Sequence, residues 1–475
     1  MTLDHDACYR IFLARDRRFD GRIFVGVRTT GIYCRPICPA PPPKQCNVSF
    51  YDSAAAACEA GFRPCLRCRP EVSPEFAAWK GSSNTVSRAL RLIEGGALDH
   101  MTVDAFAERL GIGARQLRRL FVDHVGAPPT AFAQTRRVHM AKQLVQETDL
   151  PIVQVALAAG YRSLRRFNEA FSAMFGRPPA SLRKVHAGEG APADGHLTLH
   201  LSFAPPYDWA AMIRTLAARA APGVEEVTAD RYRRTIAFDG AQGTMSVEPA
   251  GQDRLRVDLA FPKLDALPDI IARLRALFDL AADPQTLIEH LGRAPDLAPL
   301  VAARPGLRVA GSWDGFELVV RSVFGERLTR PASPVLMAAF VQAFGEPLAS
   351  PADGLTHLFP LAERLCDADL AALGMTWAQA SAIGSYAGAM LQGPSPIKLY
   401  APVEETVERL AALPGFDREL AAAIATRFAQ PTDDVSGIDA GLLGSYEPWR
   451  PWRAYAAVHL MAASRLVPRG YADAA

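Results

Sequence analysis

Four cysteines carry the first chemistry legible in this chain. In "TGIYCRPICPA", Cys34 and Cys38 are separated by three residues; in "FRPCLRCRP", Cys65 and Cys68 are separated by two. A loop of 26 residues joins the pairs. Two close pairs so connected suit tetrahedral thiolate coordination of Zn²⁺. A metal-held thiolate is also a nucleophile, because the metal keeps the sulfur deprotonated at neutral pH. Four thiolates around one Zn²⁺ carry a formal −2, which favours attack by sulfur and repels phosphate. Pro36, Pro39 and Pro41 to Pro43 stiffen the loop and lower the entropy lost on ordering it. The plainer alternative is a set of unpaired buried thiols, and Cys46 stays open as a rival ligand. Cys8, Cys46, Cys58 and Cys366 have no partner at ligand spacing and read as core thiols. Arg35, Arg63, Arg67 and Arg69 surround the pairs and are placed to meet phosphates; solubility alone would also account for any one of them.

The elements that must position these groups belong to a long soluble chain. At 475 residues, 49% apolar and 21% charged, it exceeds a single core and predicts two to four domains. The opening "MTLDHDACYRIFLARDRRFDG" places charges where a secretory signal would be apolar. The stretch "LPDIIARLRALFDLAA" is interrupted by arginines and an aspartate, so no membrane span is expected. The cytoplasm is the expected compartment, and there clustered cysteines bind metal or react more often than they pair. Net charge divides sharply. Residues 1–186 carry +11 and the remainder −9. The basic part fits a nucleic-acid partner, whereas the acidic part needs a local basic face to hold one.

Pattern divides the chain into a metal module at 1–80, a helical module at 81–186, a linker at 187–196, a sheet-bearing segment at 197–306 and a helical remainder at 307–475. The linker "HAGEGAPADGH" has no apolar stripe. "LTLHLSF", "RTIAFDG", "GTMSVEP" and "RLRVDLAF" alternate like antiparallel strands. In "VDAFAERLGIGARQLRRLFVDHVG", apolar residues at 103, 106, 110, 117, 120 and 121 flank a glycine turn at 111–113. "IVQVALAAGYRSLRRFNEAFSAMFG" repeats the arrangement around Gly160 to Ser163. A long helix with Pro129 in its first turn connects them. Each half reads as a helix-turn-helix unit. Burying Leu117, Leu120 and Phe121 turns Arg115 and Arg119 outward. Burying Phe167, Phe171 and Met174 does the same for Arg162 and Arg165. These four arginines are the expected groove or phosphate contacts; helical hairpins with solvated arginines are the alternative.

Three resemblances sharpen this reading. "LARD…FVGVRTTGIYCRPICPA…NVSFY…AGFRPCLRCRP" resembles the amino-terminal domain of the Ada family across nearly all of residues 7–72. The resemblance implies Cys34, Cys38, Cys65 and Cys68 as zinc ligands, with Cys34 accepting a methyl group from a DNA methylphosphotriester. Loss of one negative charge on methylation would then raise DNA affinity. Residues 84–184 are similar to the AraC-type double helix-turn-helix domain, "GYRSLRRFNEAFSAMFGRPPASLRK" being close to its signature. Duplex DNA at alkylation-response promoters is the implied partner, with RNA polymerase a further one. From about 197 to 470, "FAPPYDWAAMIRTLAARAAPGVEEV", "ARPGLRVAGSWDGFELVVRSVFG" and "PWRPWRAYAAVHL" resemble the AlkA-type 3-methyladenine glycosylases of the helix-hairpin-helix superfamily. The expected architecture is therefore multidomain: a small α+β zinc module, an all-α double helix-turn-helix, then an α+β antiparallel-sheet layer and an all-α helix-hairpin-helix glycosylase domain.

A glycosylase of this kind extrudes an alkylated base and cleaves its N-glycosidic bond. One carboxylate suffices to stabilise the oxocarbenium-like sugar of a cationic purine. The resemblance places Asp439 there, with Asp433 and Asp434 as weaker candidates and helix capping as the alternative role. Several positions depart from the family. The hairpin reads "LPGFD", with Asp417 at its second glycine position, where a positive φ would strain it and its charge would repel phosphate. Glu419 stands where an aromatic would stack on the base, and Glu326 and Arg327 head the loop that enters the duplex. The segment after Asp439 is short. The leading expectation is an alkylation-damage protein that senses methylphosphotriesters, binds promoters and excises alkylated purines. The alternative is an Ada-type regulator whose last domain only holds DNA or partners.

Overall fold

Short strands, rather than helices, hold the cysteine region. A computed structural model describes residues 4–15, 19–21, 23–38, 40–68, 70, 84–94, 96–148, 150–183, 196–326, 331–352, 354–393, 395–397, 403–429, 431–435, 447–450 and 452–464. The chain divides into two units: residues 1–191 with 264–268, and residues 192–263 with 269–475.

In the first unit, α1 (His5–Leu13) precedes β1 (Phe24–Val27), β2 (Ile32–Cys34) and β3 (Val48–Tyr51), followed by α2 (Ala54–Glu59) and β4 (Arg63–Pro64). The sheet order is β3-β1-β2-β4. β1 pairs antiparallel with β2 and β3, and β2 pairs parallel with β4. Phe24, Tyr33 and Ala57 form one small apolar cluster and Phe12, Val25 and Val48 another. α2 lies close because its inner face is alanine and Ser53 caps it, Oγ accepting from the Ala56 N–H at 3.0 Å.

The helical part follows as α3 (Asn84–Glu94), α4 (Ala97–His100), α5 (Val103–Arg109), α6 (Ala114–Val125), α7 (Pro129–Glu147), α8 (Ile152–Ala158) and α9 (Leu164–Phe175). Both helix-turn-helix units form where the glycine turns predict them, and Pro129 occupies the first turn of α7. Leu117 and Phe121 are fully buried on α6, as are Phe167 and Phe171 on α9. Phe175, rather than Met174, completes the α9 core face; Met174 is half-buried. Each buried phenylalanine contributes about 2 kcal/mol from apolar surface removed from water. Deleting one would unseat a recognition helix before it removed any contact to DNA.

The second unit opens with β5 (His196–Ser202) and α10 (Trp209–Arg219), then β6 (Glu225–Val227), β7 (Tyr232–Phe238), β8 (Ala241–Pro249) and β9 (Arg254–Ala260). They form an antiparallel sheet in the order β5-β9-β8-β7-β6. Four of these strands follow the alternation in the sequence; β6, only three residues long, has too few positions to show a period. Helices α11 (Leu267–Leu277), α12 (Pro284–Leu291), α13 (Ala298–Ala303), α14 (Gly315–Val323) and α15 (Pro334–Phe344) follow. A two-stranded β10 (Pro347–Ala352) and β11 (Leu355–His357) precedes α16 (Ala362–Leu365), α17 (Trp377–Gln392), α18 (Val403–Ala411), α19 (Arg418–Ala429) and α20 (Arg453–Ser464). Phe340, Tyr386, Leu410 and Ile424 centre the helical core. The expected succession of α+β zinc module, double helix-turn-helix, antiparallel sheet and helical domain is what the chain forms. No described helix is long and apolar enough to cross a membrane.

Candidate metal centre and nucleic-acid interface

Parallel pairing of β2 with β4 is what gathers the sulfurs. Tyr33 lies opposite Pro64, and the Cys65 N–H donates to the Tyr33 carbonyl at 2.9 Å. Cys34 and Cys65 therefore leave adjacent strand ends. A tight turn, with the Cys38 N–H donating to the Arg35 carbonyl at 3.1 Å, returns Cys38 to the same point. The donor atoms of Cys34, Cys38, Cys65 and Cys68 lie within 4.8 Å of one another, and all four residues are buried. A zinc tetrahedron with 2.3 Å bonds has edges of about 3.8 Å, so the cluster needs only a small contraction. Cys46 is exposed and outside the cluster, which removes it as a rival ligand and also as a core thiol. Cys8 is buried, as a core thiol should be, and Cys58 lies beside the Tyr33 hydroxyl at 3.7 Å.

Hydrogen bonds among the sulfurs set their protons against one another. A hydrogen bond from Cys34 holds Cys38 down at about 7 and Cys65 lower still. Cys34 is pushed up, first by its hydrogen bond with Cys38, and Cys68 is pushed up by its hydrogen bond with Cys34. Four such thiols ionise together only around a cation, so the donor set fits a single zinc ion.

Arg35 does not face solvent. Its guanidinium pairs with Asp20, Nε donating at 2.8 Å, and Nη1 donates to the Cys68 carbonyl at 3.1 Å. Read from sequence as a phosphate contact, it braces the loop behind the cluster instead. Arg63 and Arg67 are exposed, and both line a cleft of about 560 Å³ with Cys34, Cys38 and Cys65. Arg69 lies outside the described residues. Arg177, which follows α9, lines the same cleft. Sequence reading passed over it, because "GRPP" registers only as the exit of a helix. Arg115 and Arg119 on α6 are exposed, as are Arg162 before α9 and Arg165 on it. Arg165 also pairs with Glu169 at 2.8 Å across one turn.

The metal module and the helices are joined by polar contacts. The Tyr33 hydroxyl meets His139 Nε2 on α7 at 2.9 Å, and Ser53 Oγ donates to the Val125 carbonyl at 2.7 Å. The residue preceding Cys34 is thus anchored to the long connecting helix.

In the second unit, Asp439 and Arg327 lie outside the described residues. Asp433 is buried and held by Arg453, at 2.7 and 2.8 Å, and by Arg450 at 3.2 Å. It anchors α20. The hairpin between α18 and α19 turns at Gly415, with φ of +86°, where a Cβ would lie 2.3 Å from the Ala382 nitrogen. Asp417 does not take a positive φ. It caps α19, Oδ1 accepting from the Leu420 N–H at 2.7 Å. The expected strain is absent, but Asp417 and the exposed Glu419 put two carboxylates at the head of this helix. Both complement the helix dipole and oppose a phosphate.

Glu326 points inward. It receives Arg427 at 2.7 Å and lies 3.7 Å from Arg219 and 3.6 Å from Arg321. Alongside, Glu317 binds Arg234 at 2.9 Å and Arg321 at 2.8 Å. Glu225 takes Arg321 and the Tyr232 hydroxyl, each at 2.5 Å. Arg234 also stacks over Trp313 at 4.5 Å. This buried network ties the sheet to α14 and α19.

Family matches follow the same order along the chain. The metal binding domain of Ada matches residues 7–71, a helix-turn-helix domain residues 106–185, and the AlkA N-terminal domain residues 198–314. A Mycobacterium tuberculosis protein described as "Probable bifunctional transcriptional activator/DNA repair enzyme AlkA" is 36% identical over 476 residues, covering 96% of each chain. The chain belongs to that family of bifunctional AlkA proteins. Within this family the carboxy-terminal part is similar to DNA-3-methyladenine glycosylase 2 of Escherichia coli, at 33% identity over 55% of this chain and 95% of the relative. The amino-terminal part is similar to Escherichia coli Ada, at 33% identity over 39% of this chain and 51% of the relative.

Proposed function

We propose that the chain couples sensing of alkylated DNA to promoter binding and base excision. Cys34 is the methyl acceptor. Its sulfur attacks the methyl carbon of a phosphotriester; the S–C bond forms as the C–O bond breaks, and the electron pair leaves on the phosphate oxygen as a restored diester. Cys34, Cys38, Cys65 and Cys68 would hold a zinc ion, which would keep the attacking sulfur a thiolate at neutral pH. Arg63 and Arg67 bind the neighbouring phosphates, offsetting the cluster's negative charge. Converting one thiolate to a thioether removes one negative charge from a surface that faces phosphate, which strengthens DNA binding. Arg115, Arg119, Arg162 and Arg165 then engage promoter DNA in the cytoplasm, with RNA polymerase as the recruited partner. What carries this assignment is the four-sulfur cluster opening into a cleft rimmed by exposed arginines that no described carboxylate engages. After incubation with methylphosphotriester DNA, intact and peptide mass spectrometry should show a single added methyl, on Cys34. A methyl on Cys38 or Cys65, which line the same cleft, would move the acceptor role there.

For the second unit we propose excision of alkylated purines with Asp439 as the catalytic carboxylate. Duplex DNA carrying 3-methyladenine should release the free base, and Asp439→Asn should lower that rate by roughly 100-fold or more with folding unchanged. A regulator whose glycosylase unit is inert is the second reading. It is favoured by Asp417 and Glu419 at the head of α19 and by Glu326 turned away from the expected duplex-entering position. Absence of base release from well-folded protein would decide for it.

A further inference from the structure

Resting on Cys34 as acceptor, we infer that Arg177, supplied by the DNA-reading helices, is a third phosphate-binding residue of the methyl-transfer cleft. The two amino-terminal modules would then grip one damaged backbone together. The end of α9 is pressed against β4. Gly176 closes the helix at φ +70°, and a Cβ there would lie 2.7 Å from Arg63 Nη1. That left-handed backbone strains any residue with a side chain, whereas Arg63 could swing aside from a Cβ. The next residue is consequently delivered to the cleft that Cys34, Arg63 and Arg67 line. Pro178 follows, restricting the Arg177 backbone to extended conformations, so its side chain is presented at little entropic cost.

Charge supports the same role. Arg63, Arg67 and Arg177 are exposed, and among the described residues no carboxylate engages any of them. The −2 of a zinc-loaded cluster offsets only part of these three like charges, so the cleft still favours an anion. A methylphosphotriester is itself neutral, but the diesters on either side are anionic, and a zinc-loaded sulfur cluster repels them. Cations on both walls of the cleft allow the flanking phosphates to be held while the neutral triester faces Cys34. The Tyr33–His139 and Ser53–Val125 contacts keep the walls in register.

The test is single-turnover methyl transfer from methylphosphotriester duplex to the zinc-loaded full chain, titrated in DNA and in salt. Arg177→Ala should weaken half-saturation about eightfold near 0.1 M salt and lower the salt slope by about 0.9, as expected for one phosphate contact. The transfer rate at saturating DNA should stay within about twofold. Arg177→Lys should recover most of the loss, because it restores the single positive charge on which counterion release depends. Unchanged half-saturation in Arg177→Ala, or equal losses in both variants, overturns the inference while leaving Cys34 as acceptor. A wild-type chain that takes up no methyl removes Cys34 from that role, and Arg177 with it.

Discussion

Cys65→Ala should strip the metal from the amino-terminal module and unfold it. The strands there are two to four residues long, and their apolar clusters are small. So little buried surface does not hold a fold of this size against chain entropy. The sulfur cluster is in effect part of the core, and structural zinc sites supply an apparent ~10–16 kcal/mol, the whole stability of such a module. Zinc content should fall from about one per chain toward zero. Amide exchange in β1, β2 and β3 should rise to unprotected rates, while α6, α7 and α9 keep their protection, since their phenylalanine cores do not depend on the metal. Retained zinc with protected strands would show that Cys65 is not a ligand.

Glu317→Gln should destabilise the second unit by about 3 kcal/mol, because it removes a buried carboxylate that Arg234 and Arg321 share and leaves Glu225 to meet both. The corresponding thermal transition should fall by roughly 10 °C. Acid provides an independent check. Burial alone would raise the Glu317 carboxyl, but Arg234 and Arg321 outweigh it and hold it at about 2, against an ordinary 4.5. A carboxyl depressed by folding stabilises fully above its unfolded value and loses that contribution as pH falls through the folded one. Wild type should therefore lose stability between about pH 4.5 and pH 2, by about 3 kcal/mol from this group. The Glu317→Gln variant has no proton to take up there, so its transition should be flatter over the same window. Equal slopes for both proteins would show that Glu317 is not held ionised by the network.

Much of the fold was legible because its signals are local. Cysteine spacing, the glycine turns at 111–113 and 160–163, and strand alternation over seven or more residues each lie within one short window. Features that depend on tertiary partners were not. Arg35 looks identical to Arg63 in sequence; only the folded chain places Asp20 beside one and an open cleft beside the other. Arg177 becomes interesting only when α9 meets β4. Asp417 reads as a glycine replaced by a carboxylate, yet it serves as an ordinary helix cap. The buried network was invisible for a related reason. Glu317 and Arg321 are one helical turn apart, a pattern typical of solvated surface, and nothing local says that β7 covers them.

The Cys34 side chain ends a strand and sits inside a wall of sulfur, only 7% exposed. If Cys34 takes the methyl, the thioether formed there has no hydrolysable bond. Each molecule would then be a single-use tally mark. The size of the transcriptional signal would follow how many chains have been spent, and it would fade with dilution and degradation rather than by chemical erasure.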